Sequence, residues 1–137
     1  MCKTGIIGLA LAVSLAATDA LAEEPKQENK LLGTWRLLSN TIPEGYTEVK
    51  HVTPVQFMWA LYDKDGKVVN ALGGSYTLKG DTYEEVPEYG VSENLLKALK
   101  GKPQSFKWKI EGNKWHHSGT LSIGQTIEEV WVRVEKK

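Results

Sequence analysis

The chain has 137 residues, with 17 basic and 17 acidic side chains and a formal net charge of zero. That balance excludes a strong electrostatic pull toward nucleic acid or an anionic lipid surface. A single cysteine, Cys2, excludes an internal disulfide, so a hydrophobic core must hold the fold.

Residues 1–22, MCKTGIIGLALAVSLAATDALA, carry one lysine ahead of an apolar run from Ile6 to Ala17. Ala20-Leu21-Ala22 then supplies a small-x-small cleavage pattern. This reads as a secretory signal peptide cleaved after Ala22, too short and wrongly flanked for a spanning helix. A secreted or periplasmic location follows, with no stable membrane anchor. Removing 22 residues from 137 leaves 115, with 16 basic and 16 acidic side chains, enough for one domain. Residues 23–29, EEPKQEN, read as a polar, flexible leader, and residues 30–137 as the folded domain.

From Lys30 onward the pattern is almost wholly β. Short apolar-rich runs recur about every ten residues between glycine-containing turns, the signature of a sandwich or barrel. The opening run alternates Leu31, Gly33, Trp35 and Leu37 with Leu32, Thr34, Arg36 and Leu38. Phe57, Trp59 and Leu61 share one face of the next apolar run. Turns are expected at Asp65-Gly66, Lys79-Gly80-Asp81, Gly112-Asn113 and Ile123-Gly124. Gly73-Gly74 marks a bulge or sharp bend. Ser92 as N-cap, with Leu95, Leu96 and Leu99 at helical spacing and Gly101 as a stop, predicts one short helix or turn over 92–100. Phe106, Trp108 and Ile110 alternate with Lys107 and Lys109, the cleanest inward face in the chain. Across the next turn Trp115 and His117 share a face, with His116 on the other. In the last run Val130, Val132 and Val134 oppose Ile127, Trp131 and Arg133. Successive hairpins make an antiparallel meander, closed into a barrel of about eight strands.

Gly33-Thr34-Trp35 on the first strand after an export signal resembles the Gly-x-Trp signature of the lipocalins and related calycin barrels. In those proteins an arginine near the last strand packs across the tryptophan and closes the barrel base; Arg133 is the matching residue here. The likeness to small secreted bacterial lipocalin-like proteins extends through TPVQFMWALYDKDGKV, GGSYTLKGDTYEE, IEGNKWHHSG and IEEVWVRV. The chain departs from typical lipocalins in its short length, in lacking the motif built on Thr-Asp-Tyr, and in lacking a disulfide. The resemblance implies a β-barrel that carries a small hydrophobic or amphipathic ligand.

Phe57, Trp59, Tyr76, Trp108, Trp115 and His117 are the candidate ligand-binding residues, and Gly33, Trp35 and Arg133 the structural signature. Aromatic walls with few polar groups suit a ligand pocket. Small barrels are also filled by their own side chains, so a packed interior is the alternative. A cavity of about 300 Å³ or more would favour an interior ligand. Otherwise function moves to exposed loops, 42–47 and 87–102, as in a periplasmic inhibitor that binds a protein partner.

No catalytic constellation and no cofactor motif is present. Adjacent His116 and His117 point to opposite faces of a strand and cannot share one metal ion. Glu84-Glu85 and Glu128-Glu129 split between faces in the same way and read as solvated edges. Gly-rich ALGGSY lacks the helix and lysine of a phosphate loop.

Overall fold

A computed structural model describes residues 25–38 and 41–136; the expected signal peptide, 1–22, lies outside them. Eight strands follow in order: β1 (Gly33–Leu38), β2 (Thr47–Val52), β3 (Gln56–Tyr62), β4 (Val68–Lys79), β5 (Thr82–Gly90), β6 (Gln104–Glu111), β7 (Lys114–Thr120) and β8 (Thr126–Arg133). Each pairs antiparallel with its neighbour, and β1 with β8 closes the barrel, Trp35 opposite Arg133 and Leu37 opposite Trp131. Closure leaves none of these strands with an unpaired edge. The expected all-β meander barrel is the observed fold, and it is consistent with a lipocalin-like architecture.

The four expected turns join β3 to β4, β4 to β5, β6 to β7 and β7 to β8. One helix, α1 (Glu93–Leu99), lies between β5 and β6. The Ser92 side chain caps it by accepting from the Leu95 amide at 3.2 Å. The β4–β5 register shifts between Gly73 and Gly74. A Cβ on Gly74 would come within 2.0 Å of the Val86 carbonyl oxygen, so only glycine lets the two strands approach there.

One end of the barrel is closed by Trp35, which is fully buried. Its indole Nε1 donates to the Leu31 carbonyl at 2.8 Å. The Arg133 guanidinium lies 4.1 Å from the indole centroid and donates to the carbonyls of Leu32 and Lys30, at 2.7 and 2.8 Å. Gly33 has φ +122°, and a Cβ there would meet Arg133 Nη1 at 2.9 Å. The Gly-x-Trp pattern thus has a local cause: glycine makes room for the arginine that covers the tryptophan. The leader is tethered over this end, since the Gln27 amide pairs with both the N–H and the C=O of Gly80, and Asn29 donates to the Tyr76 hydroxyl.

Above this base the aromatics pack on one another. Trp35 meets Trp115 edge-on at 5.5 Å, Tyr83 meets Trp115 at 5.3 Å, and Trp115 lies 6.3 Å from Trp131. Such pairs add about 0.5–1.5 kcal/mol beyond burial, which matters in a small domain without disulfides. Among the described residues no helix is long and apolar enough to cross a membrane.

Candidate functional site

At the opposite end, where α1 sits, the barrel is hollow. A cavity of about 220 Å³ is lined from seven strands and the helix, including Glu48, Trp59, Leu99, Phe106, His117 and Trp131. At ~30 Å³ per water this is space for roughly seven waters. It falls short of the ~300 Å³ that would favour an interior ligand over exposed loops, so any molecule held here must be smaller than drug-sized. The interior is therefore packed in one half and open in the other.

Two of the six candidate ligand residues, Trp59 and His117, reach this cavity. Phe57, Tyr76 and Trp115 belong to the packed core instead. Trp108 also lies away from this cavity: it is half-buried by the β4–β5 turn, and its Nε1 donates to the Gly80 carbonyl at 3.0 Å. All six face inward by register. Depth separates them, because residues on one face of a strand step along the barrel axis, and only those nearer the α1 end meet the hollow. Within β6, Phe106 lines the cavity while Trp108, two residues further on, falls toward the closed end.

The polar part of the site went unforeseen. Lys50 and Glu85 form an ion pair at 2.8 Å, both buried. Lys50 Nζ also lies 4.9 Å from the Trp131 ring centroid and 5.2 Å from that of Trp115, within cation–π range. Trp131 Nε1 donates to Glu129 Oε2 at 3.0 Å. Glu48, Glu85 and Glu129 all face the cavity. Glu85 and Glu129 do split from their neighbours Glu84 and Glu128 across the sheet, but the inward members are not solvated edge groups.

Crowding of negative charge shifts these groups. Burial first, then the nearby Glu129 and Glu85 carboxylates, raise Glu48 to about 7 against the opposing pull of Lys50. Glu129 is also raised, chiefly by burial, while Lys50 and the Trp131 hydrogen bond act the other way. His117 is held well below its usual value by burial and by Lys50, so it is neutral at pH 7. Its Nδ1 is buried without a hydrogen-bond partner. His116, on the outer face, instead contacts Glu111 at 3.1 Å. Among the described residues no group of three or more His, Cys, Asp or Glu side chains is placed to hold a metal ion.

The wall is braced. Gln104 donates to the Lys102 carbonyl and the Ser122 hydroxyl, and accepts from the Ser122 amide, tying β6 to the β7–β8 turn. From the helix, Leu95 and Leu99 complete the apolar side.

A carboxyl raised in the native state favours folding while it is protonated, and that contribution is lost as pH rises from 4.5 through 7. Ionised Glu48 accordingly costs up to about 3 kcal/mol at 1.36 kcal/mol per pH unit. Glu48→Gln should therefore be more stable than wild type by about 1–3 kcal/mol at pH 8, with little difference at pH 5. Urea melts at the two pH values measure this; an equal gain at both would show that Glu48 is not titrating in the site.

Searches of protein-family models, curated proteins and solved structures found no match to this chain.

Proposed function

We propose that this chain is an exported, lipocalin-like binding protein that holds a small amphipathic molecule in the cavity at the α1 end of its barrel. The observation that carries this reading is a braced hollow lined by Trp59, Trp131, Phe106 and Leu99 on one side and by one buried and two half-buried carboxylates on the other. Ion pairs in a core are costly compared with apolar packing of the same volume. A domain that needed only a filled barrel would be better served by hydrophobic side chains at positions 48, 50, 85 and 129. The signal-like segment at residues 1–22 supports export, and Gly33, Trp35 and Arg133 support the lipocalin-like assignment. Segment 87–102, the candidate protein-binding loop, contributes Pro87, Leu95 and Leu99 to the cavity wall, which draws it into the same reading.

Ile127→Trp tests the proposal, because the added volume fills the cavity from β8. In a thermal-shift screen of fragments of about ten non-hydrogen atoms, the wild-type protein should be stabilised by some of them through mass action. The folded Ile127→Trp variant should lose those shifts. Fragments that stabilise both proteins equally would place binding elsewhere.

A further inference from the structure

Resting on the interior-ligand reading, we infer that the ligand is a small organic cation: an amine or ammonium group on an apolar body, its charge held among Glu48, Glu85 and Glu129. The apolar part would lie against Trp59, Leu99 and Phe106.

Charge count within the cavity is the first support. Three carboxylates face it from β2, β5 and β8, no lysine or arginine lines it among the described residues, and the nearby Lys50 is paired with Glu85 at 2.8 Å. Glu48 and Glu129 feel Lys50 only at longer range and form no ion pair among the described residues. A neutral ligand would bury them further without pairing them, and an anion would be repelled. A cation supplies the missing charge.

His117 is the second, independent support. It is 3% exposed, its Nδ1 has no partner, and of the three such buried atoms among the described residues, with Tyr83 Oη and Trp115 Nε1, it alone belongs to a residue that lines the cavity. Buried polar atoms are rarely left unpaired in native proteins. A neutral imidazole with hydrogen on Nε2 offers Nδ1 as an acceptor, which suits the N–H of an ammonium group.

Thirdly, the site already displays the chemistry in its own side chains. The Lys50 ammonium sits over the rings of Trp131 and Trp115 and against a carboxylate. A ligand ammonium beside Trp59 and Glu48 would use the same pair of interactions.

Glu48 also makes binding pH-dependent. The titratable and charged groups around it are Lys50 from β2, Glu85 and Tyr83 from β5, His117 from β7 and Glu129 from β8; the lining residues from β3, β4, β6 and α1 do not titrate. Protons and the ligand cation compete for the same carboxylates, so affinity should rise with pH through about 7.

Calorimetric titration with three probes of one shape tests the inference: phenethylamine, 2-phenylethanol and phenylacetate. Phenethylamine stays protonated from pH 6 to 8. At pH 8 it should bind at least ~10-fold tighter than the alcohol, as expected when a charged hydrogen bond replaces a neutral one, and phenylacetate should not bind. Its affinity should fall several-fold, up to about tenfold, on going to pH 6, as Glu48 takes up a proton. Glu48→Gln should remove that pH dependence, and Glu129→Gln should weaken the amine but not the alcohol; near-ultraviolet circular dichroism checks that both variants are folded. Equal binding of amine and alcohol at both pH values would overturn cation recognition while leaving the interior-ligand reading intact. Tighter binding of phenylacetate would overturn it in favour of an anion. Binding by none of the three would sink both.

Discussion

Lys50→Met will destabilise the protein by about 3–5 kcal/mol, the usual cost of removing one partner from a buried ion pair. Methionine fills similar volume, so the loss is electrostatic. Glu85 would remain buried, 35 residues away in sequence from its former partner, with Glu48 and Glu129 facing the same cavity. The deficit should shrink at pH 5, because Glu48 and Glu129, already raised by burial, would lose the opposing pull of Lys50, and a raised carboxyl loses its favourable protonation as pH increases. Glu85→Gln should cost less, since Lys50 still has Glu129 and Glu48 near it. A combined Lys50→Met, Glu85→Gln variant should recover much of the loss, giving a coupling that a double-mutant cycle reads directly. Chemical denaturation of the four proteins at pH 5 and 8 settles the matter. A Lys50→Met cost under about 1 kcal/mol would mean that the Lys50–Glu85 pair is solvated and not buried as described.

At the opposite end of the barrel, Trp35→Ala should cost about 3–5 kcal/mol, as for other large core truncations. Three losses combine there. The indole is fully buried, its Nε1 hydrogen bond to Leu31 disappears, and Arg133 loses the ring beneath its guanidinium. Arg133 would keep its bonds to the Lys30 and Leu32 carbonyls, so the chain entry should stay docked while the base opens. Urea melts measure the change. A cost below about 1 kcal/mol would mark Trp35 as a surface side chain, because surface substitutions usually stay within ±0.5 kcal/mol.

Much of the architecture was legible because the turns are glycine-marked and the strands alternate. Phe106, Trp108 and Ile110 face inward as their spacing implies, and Ser92 caps the helix its position suggests. Cavity depth was not legible. Parity assigns a face, not a level along the barrel axis, so Trp108 and Trp115 looked equivalent to Trp59. The charged lining was hidden for a different reason. In TEVKHV, Glu48 and Lys50 face inward while Val49 faces the outer side, so hydrophobic patterning points the wrong way on β2. For β8 a signal did exist. Glu129 lies two residues from both Ile127 and Trp131, and that spacing places it on their face. Discounting adjacent glutamates as solvated edges missed that one member of each pair must point in.

The central claim, that a small molecule sits inside the α1 end of the barrel, is tested most directly by intermolecular nuclear Overhauser effects from bound phenethylamine or any fragment that stabilises the protein. The account predicts contacts from the fragment to the side chains of Leu99, Phe106, Ile127 and Trp131, with none to Tyr46 or Val91 on the outer loops. Contacts confined to those loops, with the cavity side chains silent, would contradict it.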